Sequence, residues 1–146
     1  MTTATKQTVE TLAQEYCEKI TEANEAWLKK LRLNDDGTFD PWHLDEEGNY
    51  KTDDNPQYFT YIIGRKYLKV VAMEWKDDAQ YGRINAAPAG YQASTVHAFV
   101  DKKTGDVFLP ASWNAPAKGA RFNLFENKEA LFEGVMRRPH GGYLYR

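Results

Sequence analysis

Six residues combine positive charge with flat aromatic surface: Arg65, Lys66, Lys69, Trp113, Lys118 and Arg121. Arg65, Lys66 and Lys69 are interleaved with Tyr61, Tyr67 and Trp75, while Lys118 and Arg121 follow Trp113 and precede Phe122. Bases stack on aromatic rings and phosphates need cations, so such a set suits a nucleotide or single-stranded nucleic acid. The same residue types also make an ordinary solvated sheet face. The segment "PASWNAPAKGARFNLF", Pro110 to Phe125, raises this question most sharply. Pro110 and Pro116 bias Leu109 and Ala115 to extended backbone, which predicts a stiff, stretched exit from the preceding hairpin. Trp113 is then an anchor either for a ligand or for the core, and Arg121 either meets an anion or ties the loop down.

Other chemistry has little footing. His43, His97 and His140 lie far apart, without the local ligand pairs of a zinc site. His97 is the best single residue for acid–base work, because it falls mid-strand on the side of Phe99, but a packed, hydrogen-bonded histidine accounts for it more simply. Ser94 and Ser112 lack the strand, tight turn and helix of a nucleophile elbow. Asp101 and Asp106 flank a turn, where Asp is favoured for its own backbone bonds. No P-loop or other cofactor motif is present, so no cofactor is expected and nothing argues for an enzyme. Cys17 is the only cysteine, which rules out an internal disulfide. Its place on an apolar helix face marks a buried thiol rather than a nucleophile.

Charge is divided along the 146 residues. Residues 1–60 hold 6 Lys and Arg against 13 Asp and Glu, and residues 61–146 hold 13 against 8, so the halves carry −7 and +5. A basic half can face an anion, and an acidic half can restrain non-specific nucleic-acid binding or meet a protein. No apolar run reaches the length of a bilayer span, and "MTTATKQTVE" lacks the pattern of a signal peptide, which leads us to expect no membrane partner and a cytoplasmic setting.

These residues must be carried by a small set of elements. From about Thr5 to Leu33 apolar residues recur every three or four positions, including Val9, Tyr16, Ile20, Trp27 and Leu31, opposite a row of glutamates. This predicts an amphipathic helix within residues 1–33. Residues 34–56 are an acidic loop, with a short hairpin at "DEEGNY" that packs Trp42 and Tyr50 on the core; its carboxylates do not follow the spacing of a calcium-binding loop. Residues 57–125 read as sheet and stiff loop. Gly64 marks a bulge or tight connection, Asp77 to Gln92 reads as a loop, and "STVHAFVDKKTGDVFLPAS" reads as a hairpin with Gly105 at its left-handed position. Within "RKYLKVVAMEW", Lys66, Leu68, Val70 and Ala72 share one face and Arg65, Tyr67, Lys69, Val71, Met73 and Trp75 the other, so neither face is purely polar, as for a strand covered on one side with long amphipathic side chains on the other. Residues 126–146 hold a short helix, "ENKEALFEGVMRR", and a Gly-rich aromatic tail. The sum is a single α+β domain over residues 1–146, with a long N-terminal helix packed on a small antiparallel sheet and a short C-terminal helix.

The segment "VHAFVDKKTGDVFLPASWNAPAKGARFNLF", Val96 to Phe125, with "GRKYLKVV" upstream, resembles a family of small bacteriophage proteins. These carry a hairpin followed by a Pro-Ala-Ser-Trp, Ala-Pro-Ala-Lys and Arg pattern, and Leu109 stands where that pattern has Lys. The resemblance covers about a quarter of the chain. It implies a phage origin and the host cytoplasm, and it transfers no catalytic residue, because such proteins are functionally unassigned. The leading expectation is therefore a phage accessory protein that binds an anionic partner through Arg65, Lys66, Lys69, Trp113, Lys118 and Arg121. Two alternatives stand beside it: a module that contacts or inhibits a host protein through the acidic segment 35–54, and a virion or assembly component.

Overall fold

The apolar stripe of the first helix settles where the core lies. In the computed structural model, which describes residues 2–76 and 90–145, α1 runs over Thr2–Arg32. It buries Val9, Ala13, Tyr16, Cys17, Ile20 and Ala23, a series spaced by three and four that forms one side of a 3.6-residue helix. Full burial of a large aliphatic or aromatic side chain contributes about 1.5–3 kcal/mol, so this face, more than intrinsic propensity, holds the helix in place. Lys29, Lys30 and Arg32 occupy the last turn, where cations complement the helix dipole. The stripe outruns the sheet: Trp27 and Leu31 are exposed, and Trp27 packs edge-on against His140, ring centroids 4.3 Å apart.

Five strands form the opposing layer: β1 (Tyr58–Ile63), β2 (Tyr67–Lys76), β3 (Gly90–Asp101), β4 (Asp106–Phe108) and β5 (Phe122–Asn123). They pair antiparallel in sequence order. The short helix α2 (Lys128–Arg137) and a 3-10 turn at Gly142–Leu144 complete the α+β architecture. Leu68, Val70, Ala72, Ala98, Val100 and Val107 meet α1 and α2 in one apolar cluster. The opposite face is not purely solvated, since Val71 and Phe99 are also buried. Within the expected loop Asp77–Gln92, Gly90–Gln92 belong to β3 and residues 77–89 lie outside the described residues.

Two glycines fix the hairpin ends. Gly64 donates its N–H to the Tyr67 carbonyl at 2.9 Å. A Cβ there would sit 2.9 Å from that same oxygen, so the tight connection requires glycine. Gly105 has φ 79°, the left-handed conformation expected of it.

The acidic segment forms its hairpin, but neither Trp42 nor Tyr50 joins the core cluster. Leu44 bridges Tyr50, and Asp45 accepts backbone N–H bonds from Glu47 and Asn49, so the small hairpin forms. Tyr50 packs on Phe39 at 4.8 Å between ring centroids, but Trp42 is 70% exposed. Trp42 lies in a 3-10 turn, Pro41–His43, that buries no residue, and therefore does not reach the core.

Candidate functional site

Two hairpin turns that together carry four cations lie side by side. The β1–β2 turn carries Arg65 and Lys66, and the β3–β4 turn carries Lys102 and Lys103. The Lys102 backbone N–H donates to the Lys66 carbonyl at 3.1 Å, and Lys102 Nζ donates to the Gly64 carbonyl at 3.0 Å. Asp101 lies at this end too, but its Oδ1 is directed into the turn, accepting the N–H groups of Lys103 and Thr104. Among the described residues, none of Arg65, Lys66, Lys69, Lys102 and Lys103 forms an ion pair.

Aromatic surface continues this cationic end along the face opposite α1. Lys69 Nζ lies 4.7 Å from the Trp113 ring centroid and Lys66 Nζ 5.4 Å from that of Tyr67, distances at which an ammonium is attracted to the ring face. Trp113 is 42% exposed, so part of its side chain remains open to solvent. It is held there by a loop that is not the stretched exit its prolines suggest. Pro110 and Pro116 bridge, Ala117 N–H donates to the Leu109 carbonyl at 2.7 Å, and the N–H groups of Ala111 and Ser112 both reach the Ala115 carbonyl. Residues 109–117 thus form a small hairpin-shaped flap. Proline lacks the N–H that a longer ladder would need, which keeps the pairing to an isolated bridge.

The six residues singled out from sequence do not all meet. Arg65, Lys66, Lys69 and Trp113 share the cationic end and its aromatic extension. Lys118 is exposed further along the loop. Arg121 donates through Nε to the Leu144 carbonyl at 2.8 Å and through Nη1 to that of Gly119 at 3.3 Å. Leu144 belongs to the helix-side core, so the Arg121 guanidinium anchors the C-terminal segment across the sheet from Trp113. Lys102 and Lys103 were missed; the signal available was the pair "KK" in a turn, and only register brings it beside Arg65 and Lys66.

A buried chain of titratable groups lies on the helix side. Val70 pairs with Ala98 whereas Val71 pairs with Val96, leaving His97 as an extra residue in β3. Such a bulge re-aims its side chain, and His97 consequently faces α1 instead of sharing the side of Phe99. His97 Nε2 and the Tyr143 hydroxyl are 2.6 Å apart, and the Tyr143 and Tyr16 hydroxyls are 2.5 Å apart. Phe59 packs edge-on against the imidazole at 5.3 Å. Burial, with a smaller contribution from the nearby His140, pulls the His97 pKa down from 6.5 to about 4, and burial pushes both tyrosines up. Cys17, beside this chain on α1, is pushed up to about 12 chiefly by burial, which removes thiolate character at neutral pH.

A neutral buried histidine has a measurable consequence. Between about 6.5 and about 4 the unfolded chain binds a proton that native His97 does not. Stability contributed by the site is therefore complete above the upper value and lost as pH falls through the window, at no more than ~1.4 kcal/mol per pH unit. Denaturant titrations across this range should show that slope, and His97→Gln, which keeps a hydrogen-bonding group without titrating there, should remove it. An unchanged slope in the variant would assign the acid sensitivity to other groups.

The chain belongs to a family of unknown function, DUF7717, whose family model matches residues 1–146. No curated protein and no solved structure matches it.

Proposed function

We propose that this DUF7717 member binds an anionic partner, single-stranded nucleic acid or a nucleotide, through the basic end of its sheet. The observation that carries the reading is the backbone bond between the two turns, which groups Arg65, Lys66, Lys102 and Lys103 beside Lys69 and the partly exposed Trp113. Cations without carboxylate partners are available to phosphates, and a partly exposed indole offers aromatic surface to a base. The acidic α1 face lies across the sheet, where it opposes wrapping of a polyanion around the whole domain. This reading keeps Arg65, Lys66, Lys69 and Trp113 as ligand contacts, leaves Lys118 as a peripheral contact and assigns Arg121 to holding the fold.

We read the biological role as that of a phage accessory protein acting in the host cytoplasm, on the strength of the resemblance carried by Val96–Phe125. Fluorescence anisotropy with a single-stranded oligothymidine of about twenty nucleotides tests the binding reading. With four phosphates neutralised, log K should fall with log salt at a slope of about −3, and the triple variant Arg65→Ala, Lys66→Ala, Lys103→Ala should flatten that slope by about 2. Trp113→Ala should weaken binding by about 1–3 kcal/mol. Absence of binding at low salt, or an unaffected triple variant, would sink the proposal.

A further inference from the structure

The two edges of the sheet are treated differently. β5 is two residues long and packs against α2, which leaves no template for another strand. β1 is six residues long, without proline, charge or bulge, and its Ile62 and Ile63 are 46% and 60% exposed. Edge strands are normally blunted by such devices. The β1–β2 register, closed by Gly64 and Tyr67, turns the backbone groups of Thr60 and Ile62 toward β2 and those of Phe59, Tyr61 and Ile63 outward. Phe59 N–H is taken by Thr21 Oγ1 at 2.9 Å. Among the described residues, no backbone bond reaches the outward groups of Tyr61 and Ile63.

Alongside this edge runs a trough beneath α1. One stretch of about 480 Å³ lies between Tyr61 and Glu10, Gln14 and Glu18; a second of about 760 Å³ runs from Gln14 and Glu18 past Glu22 and Glu25 to Phe59, with Lys29 as its one cation among the described residues. Gln14 and Glu18 line both, so the two adjoin. A strand added to β1 would point alternate side chains up at these glutamates and the intervening ones down beside Ile62.

We propose that β1 accepts an extended segment of a partner protein, about six residues long, in which Lys or Arg alternates with β-branched apolar residues. Main-chain bonds to Tyr61 and Ile63 supply the pairing, and Glu10, Glu18 and Glu25 select the charge. A second copy of this chain does not fit, because pairing β1 with β1 would bring two glutamate rows together. This edge adjoins the basic end of the sheet, since Ile62 pairs with Lys69, but it uses the outward backbone groups of Tyr61 and Ile63 and the glutamates of α1 rather than the turn cations, so either reading can fail without the other.

The probe is a fluorescein-labelled heptapeptide alternating Lys and Val, compared with its Glu–Val counterpart and with a Lys–Val peptide of the same composition arranged in blocks. The alternating Lys peptide should bind at least about tenfold more tightly than either. Ile63→Pro deletes an outward N–H without touching the β2 ladder and should weaken binding about tenfold; Glu10→Lys with Glu18→Lys should do the same by reversing the wall. Circular dichroism and thermal melts matching the parent chain identify the variants that report on binding, and the surface double variant serves if Ile63→Pro fails to fold. Equal binding of the three peptides, or parent-like binding by a folded variant, overturns the proposal. So does a dimer in sedimentation equilibrium that Ile63→Pro dissociates, since that outcome gives the edge to a second copy.

Discussion

Tyr143→Phe is expected to lower the unfolding free energy by about 2–4 kcal/mol. The variant removes one oxygen and hardly alters volume, so packing alone predicts almost no change. The hydroxyl, however, is the middle member of a three-group chain, between Tyr16 and His97. Each hydroxyl has one proton to give, so the chain runs in a single direction, from Tyr16 toward His97 or back. Without the central oxygen, the Tyr16 hydroxyl and His97 Nε2 both lose a partner. Tyr16 is fully buried and cannot recover its bond from water, and an orphaned buried polar group costs about 1–3 kcal/mol. Tyr145→Phe is the control, because that side chain is exposed. Urea titrations at neutral pH should show a lower midpoint for Tyr143→Phe with the slope unchanged. A loss below about 0.5 kcal/mol would mean that the chain of bonds contributes nothing beyond burial.

That chain also marks where sequence reading stops. The helix stripe, the Gly105 turn, the tight connection at Gly64 and the short C-terminal helix are all local signals: a period, a left-handed glycine, a two-residue connection. Each is specified within a few residues and each is found. His97 was assigned to the side of Phe99 because strict alternation puts it there, and a single extra residue in β3 reverses that direction. A bulge leaves almost no trace in sequence when the residues flanking it are as interchangeable as Val96 and Ala98. Its partners are beyond local reach as well, since Tyr16 and Tyr143 are 127 positions apart. Arg121 illustrates the complementary limit. Arg in a loop beside Trp and Lys has the composition of an anion site whether its guanidinium faces solvent or the Leu144 carbonyl, and only the fold of the C-terminal segment decides between them. Lys102 and Lys103 show the opposite limit: locally they are only turn residues, and it is register that sets a second turn, with Arg65 and Lys66, beside them. The prolines of the Trp113 loop do not give its direction of travel, because an extended residue on each side of a reversal satisfies the same dihedral preference.

Leu131→Ala should cost about 3–5 kcal/mol, and its effect should reach well beyond α2. At ten residues α2 is too short to persist on its own, and Leu131 and Val135 are its two fully buried side chains. Leu131 therefore carries about half of the helix's anchorage. The 3-10 turn that presents Tyr143 follows α2 directly, and Tyr143 lies against Gly134, where an added Cβ would come within 2.9 Å of the tyrosine Cβ. Loosening α2 thus also displaces the hydroxyl that joins Tyr16 to His97. Phe132, stacked on Tyr16 at 6.5 Å between centroids, ties the same helix to the other end of the chain. If this mechanical link holds, the penalties of Leu131→Ala and Tyr143→Phe overlap, and the double variant should lose less than the sum of the two by about 1–2 kcal/mol. Strict additivity would show that α2 and the buried hydroxyl chain stabilise the domain independently.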